Sequence, residues 1–115
     1  MGYRLVPQRD LINIYLKQFP NANTRFSYGN DLRTFSRVVL KREWITPSHI
    51  RQITLDQLVD YILHLSKNHT FTTMTRRLST LERFFDWAAK QGYVEQSPSR
   101  QLHEAFQVCL KKLSP

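Results

Sequence analysis

The 115-residue chain holds a single cysteine, Cys109. One thiol cannot close an internal disulfide or build a cysteine metal cluster, and such usage fits a reducing compartment. Three glycines and five prolines leave little material for a flexible linker and none for a glycine-rich phosphate loop. No apolar run approaches the ~20 residues a bilayer span requires. Met1-Gly2-Tyr3-Arg4-Leu5-Val6-Pro7 lacks the apolar centre of a secretion signal, and Val6 stands where an N-myristoylation signal needs Ser or Thr. Acids are scarce too: nine Asp and Glu face 17 Lys and Arg, for a net charge of +8 and a pI near 10.1. So large a positive field on a short chain points to polyanionic partners, nucleic acid before anionic membrane.

The residues do not assemble enzyme chemistry. His49, His64, His69 and His103 include no pair at the spacing of four that helical zinc ligands use. The acids are dispersed, and Asp56 with Asp60 reads as an exposed helix face. No serine or cysteine sits in a nucleophile elbow. No cofactor, no metal site and no small-molecule substrate is expected.

What is abundant is helical periodicity. Residues 8–19 read as a first helix with Leu11, Ile12, Tyr15, Leu16 and Phe19 inward, after an extended lead-in over 1–7, and Pro20 stops it. A second helix runs from about Thr24 to Leu40, capped by Asn23 or Thr24. Tyr28, Leu32, Phe35 and Val39 form its apolar stripe, and Arg33, Arg37 and Lys41 stand four apart on another face. Asp31 is its only acid, and Gly29 its weak point. Residues 41–49 form a connector over Trp44 and Ile45, and 50–53 an extended segment or turn. Thr54 and Gln57 match a capping box for a third helix over 55–66, whose outer Asp56 and Asp60 face away from any polyanion. Ser97-Pro98 starts a fifth helix with Leu102, Ala105, Phe106, Cys109, Leu110 and Leu113 on one side. No strand is expected.

The stretch from His69 to Lys90 organises the chain. Thr70 is its expected cap and Gly92 its left-handed exit. Met74, Leu78, Leu81, Phe85 and Ala88 recur at four, three, four and three, the period of one buried face. His69, Thr73, Arg76, Thr80 and Arg83 keep the same spacing on another side, with Thr72 and Arg77 beside them. Hydroxyls and guanidiniums on a rigid rod suit phosphates and base edges. The candidate nucleic-acid-contacting residues are therefore Arg33 and Arg37 on the second helix and Thr72, Thr73, Arg76, Arg77, Thr80 and Arg83 on the fourth, with Arg25 at the second helix's start.

Thr24-Arg25-Phe26-Ser27-Tyr28-Gly29-Asn30-Asp31-Leu32-Arg33-Thr34-Phe35 resembles the T-x-x-x-Y-x-x-D-L-x-x-F opening of the core-binding domain of tyrosine recombinases, the phage-integrase family. Residues 53–62 look like that domain's third helix. Thr72 through Phe85 is similar to its T-x-x-R-x-L-S-x-L-R-x-F-F helix. Gly92-Tyr93-Val94 and Ser97-Pro98 resemble its G-x-I-x-x-N-P exit, with Ser97 in place of Asn. The resemblance spans about residues 8–100. It implies an all-α, SAM-like four-helix bundle, here with an additional C-terminal helix, that clamps one side of duplex DNA through its second and fourth helices. Carried over residue by residue, it adds Thr24, Arg25 and Tyr28 to the candidates.

Catalysis in that family needs an Arg, a Lys, a His-x-x-Arg pair and a Tyr nucleophile in a separate domain. No histidine here is followed three residues later by arginine. The expectation is a non-catalytic DNA-binding domain over 1–97 and a helix or linker toward a catalytic domain over 98–115. The parent would be a DNA-strand-transferring recombinase acting in a bacterial or phage-infected cytoplasm, at the nucleoid. Double-stranded DNA is the expected partner, with a homo-oligomer on DNA through residues 98–115 as a second, and no membrane. Two alternatives use the same features: a helix-turn-helix transcription factor built on the third and fourth helices, and a helical adaptor that offers the 102–113 stripe to a partner helix.

Overall fold

The computed structural model describes residues 10–113. The expected lead-in over 1–7 and the start of the first expected helix, Gln8 and Arg9, lie outside them. Six helices make up the regular structure of the described residues, as an all-α chain requires.

Helix α1 spans Leu11–Leu16, shorter than the expected 8–19. The Asp10 carboxylate caps it by accepting the Ile12 N–H at 3.2 Å. Past Leu16 the N–H groups of Lys17, Gln18 and Phe19 reach back only three residues, because Pro20 excludes Phe19 from continuing a helix. The buried Leu11, Ile12 and Tyr15 anchor α1, and the Leu11 N–H donates to the Ile45 carbonyl at 2.8 Å.

Helix α2 spans Ala22–Phe35. Its cap is Asn21, not the expected Asn23 or Thr24: the Asn21 side-chain oxygen accepts the N–H of both those residues, at 2.8 and 3.2 Å. The helix continues as a π-helical turn, Ser36–Leu40. The buried Ser36 hydroxyl sits within 2.6 Å of the Arg42 carbonyl and 3.0 Å of that of Trp44, which draws the following loop under the helix end. Lys41 ends the turn in the left-handed region, φ 61°. Gly29 explains the approach of α1, since a Cβ there would lie 3.0 Å from the Leu16 side chain.

Helix α3, Pro47–Arg51, occupies the end of the connector expected at 41–49 and the start of the extended segment or turn expected at 50–53. Proline suits a first helical position, and Thr46 and His49 close a reciprocal capping box across it. Helix α4, Leu55–Asn68, has the Thr54–Gln57 box the sequence implies. Helix α5, Phe71–Lys90, is capped by Thr70, and Gly92 follows with φ 84°. Helix α6, Ser99–Leu113, packs chiefly on α4. Its Leu102, Ala105 and Cys109 are buried there, with the Cys109 thiol 3.6 Å from the Val59 carbonyl.

One core joins these helices. Leu32 and Phe35 of α2, Leu58, Tyr61, Ile62 and Leu65 of α4, and Met74, Leu81, Phe84, Phe85 and Ala88 of α5 are all essentially inaccessible. Phe84 meets Tyr15 of α1 edge-on, with ring centroids 5.3 Å apart. Long α5 thus lies across α2, α4, α1 and α6, and its remaining side faces solvent.

Candidate nucleic-acid interface

On α5 the exposed side chains, Phe71 apart, fall on one strip. Thr72, Arg76, Ser79, Arg83 and Lys90 are all exposed, at spacings that return to the same side of a 3.6-residue helix. Asp86 shares the strip, but its carboxylate accepts the hydroxyls of Ser97 and Ser99. Thr73 is half-buried and its hydroxyl meets that of Thr70 at 3.2 Å. Thr72 stands free at the helix start, where backbone N–H groups and the helix dipole favour an anion.

Thr80 is turned inward, against expectation. It is 3% exposed, and its hydroxyl donates to the Arg76 carbonyl one turn back at 3.3 Å. It lies beside the strip, one turn before buried Phe84.

Arg76 and Arg77 reach a common carboxylate on α2. Arg76 Nη1 and Nη2 donate to Asp31 Oδ2 and Oδ1 at 2.7 and 3.2 Å. Arg77 Nη1 lies 3.4 Å from Oδ1. Asp31 is 4% exposed, whereas the Arg76 side chain is 48% exposed and that of Arg77 14%. The hydrogen bond to Asp31 is the main reason the Arg76 pKa is raised, burial opposing it. Arg77 Nε is buried without a partner. Two cations on one anion leave a net positive charge, and the exposed member is Arg76.

The arginines of α2 take another direction. At about 100° per residue, Arg33 is about 160° around the helix from Asp31, and Arg25 about 120° from it; Arg37 follows in the π-helical turn. Arg25 donates to the carbonyls of Phe19 and Pro20 at 2.6 and 2.8 Å. Arg33 donates to the Glu43 carbonyl at 2.6 Å and to Asn13 at 2.9 Å, with Asp10 at 3.7 Å. Arg37 pairs with the Glu43 carboxylate at 3.0 Å. These side chains line two shallow clefts that share Arg37. One includes Phe26, and the other includes Lys41, Arg42 and Trp44. The basic residues of α2 and α5 therefore lie on two flanks of α2 rather than on one continuous saddle.

On the flank toward α5, Thr24 is half-buried close to the Asp31 side of α2, and half-buried Tyr28 packs edge-on against Phe19 at 5.1 Å. The Tyr28 hydroxyl is close enough to act electrostatically on Arg76. Arg83 acts likewise on Tyr15, whose pKa burial pushes up. Tyr28 and Arg76 thus lie near each other where α2 meets α5, and Arg83 lies nearer Tyr15 of α1. Lys90, which continues the strip, escaped the sequence reading although it lies seven residues beyond Arg83. No group of three metal-ligating side chains exists among the described residues, and none of their helices is long and apolar enough to cross a membrane.

The model of the phage integrase N-terminal SAM-like domain matches residues 14–92. Tyrosine recombinase XerC of Thermodesulfovibrio yellowstonii is 30% identical over 91 residues, which cover 78% of this chain and 28% of that protein. Tyrosine recombinase XerD of Proteus mirabilis is 30% identical over 97 residues, 83% of this chain and 29% of its own length. The chain thus spans under a third of the curated relatives it matches. No solved structure gives a significant match. The motifs on α2 and α5, the all-helical core and the matched length agree: the chain belongs to the phage integrase N-terminal SAM-like domain family.

Proposed function

We propose that the chain is the DNA-binding, non-catalytic domain of a tyrosine site-specific recombinase, and that it grips duplex DNA with the exposed strip of α5 and the adjoining end of α2. The observation that carries this reading is the strip itself. Arg76, Arg83 and Lys90 stand with Thr72 and Ser79 on one side of a rigid helix, over about 27 Å, roughly three-quarters of a duplex turn of about 34 Å. Asp86, the one acid among them, is engaged by two serine hydroxyls. The names of the relatives support the recombinase setting, as does the net charge of +8. Strand transfer belongs in this reading to a parent protein acting on DNA inside the cell. Arg25, Arg33 and Arg37 would extend the contact along the other flank of α2, and the outward side of α6 is where protomers bound to DNA would meet.

A salt titration of duplex binding tests the proposal. With about five phosphates contacted, log affinity should fall with log salt at a slope of about −4 to −5. Salt-independent binding, or none at micromolar protein in low salt, would overturn it. The adaptor alternative needs a free 102–113 stripe, and Leu102, Ala105 and Cys109 of that stripe are buried within the domain, leaving only Leu113 exposed.

A further inference from the structure

We infer that Asp31 is a positioning residue for DNA binding: its buried carboxylate holds Arg76 in one orientation, with the outer edge of the guanidinium presented to the DNA backbone. The inference rests on the DNA-binding function proposed above and deepens it. Arg76 spends one N–H of each Nη on Asp31. A guanidinium has five N–H donors, so three remain for an acceptor outside the protein. The side chain is half-exposed while its anchor is not. Buried Arg77, on the same carboxylate, balances the Asp31 charge, so the pair beneath Arg76 is close to neutral and the Arg76 charge is felt outside. A free arginine on a helix surface samples many rotamers and must be ordered when it meets a phosphate. Here the ordering is complete before binding, which is how a fixed fork gains over a mobile charge.

The consequence runs against simple electrostatics. Removing an acid from beside a DNA-binding surface should tighten binding by lessening repulsion. If Asp31 positions Arg76, removing it should weaken binding instead.

The test uses fluorescence anisotropy with a duplex of about 20 base pairs at about 100 mM salt, repeated across a salt series. Asp31→Asn should bind about five- to tenfold more weakly than the unaltered chain, with the salt slope smaller by about one. The double variant Asp31→Asn with Arg76→Ala should bind no more weakly than Arg76→Ala alone, since both remove the same contact. Arg76→Lys, a change on the protein surface that leaves the buried Asp31–Arg77 pair intact, guards against a folding defect in Asp31→Asn. Lysine keeps the charge but not the two-pronged fit, so Arg76→Lys should lose most of what Arg76→Ala loses. Equal or tighter binding by Asp31→Asn with its fold intact, or full retention by Arg76→Lys, would overturn the inference while leaving the DNA-binding function standing. Absence of duplex binding by the unaltered chain would overturn both.

Discussion

Phe35 of α2 meets Tyr61 of α4 edge to face, with ring centroids 5.1 Å apart and planes at 87°. Phe85 of α5 stands 5.9 Å away on another side of the same ring. Three helices therefore meet at the Phe35 ring, which joins the Asp31–Arg76 pair in linking α2 to α5. Replacing Phe35 with alanine should cost about 3–5 kcal/mol of unfolding free energy, the range for deleting a buried aromatic ring. Urea denaturation followed by circular dichroism measures it. A loss under about 1 kcal/mol would mean that Phe35 is not the packing centre described here.

The capping box of α3 makes stability depend on pH. The Thr46 N–H donates to His49 Nδ1 at 3.1 Å, so that nitrogen must be unprotonated, and an imidazolium has no acceptor to offer. Burial, followed by the charge of Arg42, lowers the His49 pKa from its ordinary 6.5. The unfolded chain therefore takes up a proton more readily than the folded one. The contribution of His49 is fully present above about pH 6.5 and is lost as pH falls through the lowered folded value. In melting curves the gap in Tm between the unaltered chain and His49→Ala, which has no acceptor to offer Thr46, should narrow from pH 7.5 toward pH 5. A gap that widens in acid would refute the acceptor role.

Arg83 and Thr80 are three residues apart and should behave differently. Arg83 is exposed on the strip, so Arg83→Ala should weaken duplex binding at every sequence tested and reduce the salt slope by about one. Its Tm should change little, since it is a surface substitution. Thr80→Ala should leave affinity within about twofold and cost about 1 kcal/mol of stability, as its hydroxyl serves only the Arg76 carbonyl. Anisotropy titrations beside melting curves separate the two. The reverse pattern would put the contact surface on the wrong side of α5.

Much of this was legible in the sequence because period and capping chemistry are local. The apolar stripe of α5, the Thr54–Gln57 and Thr70 caps and the left-handed Gly92 follow from neighbours within one turn. Helix α3 was missed because five residues are too few for a period to show, although Thr46-Pro47 with His49 is a start signal. The two flanks of α2 were missed for another reason. Arg25, Arg33 and Arg37 were grouped by charge, whereas their directions depend on carbonyls at Phe19, Pro20 and Glu43 that only folding brings near. The burial of Thr80 does not show in the period, because which part of the polar side of α5 is covered depends on where α2 and α1 pack. The burial of Asp31 had a signal that could have been read. Asp31 lies three residues after Tyr28 and four before Phe35, in the register of the apolar stripe, where a carboxylate needs a cationic partner.

The central claim is that DNA meets the α5 strip and the adjoining end of α2. The most direct measurement is a titration of the isotope-labelled chain with a short duplex, followed by backbone amide chemical shifts. The changes should concentrate at Thr72–Lys90 and Thr24–Tyr28 and spare the acidic outer side of α4 at Asp56 and Asp60. Changes centred on that α4 side, or spread evenly over the molecule, would contradict it.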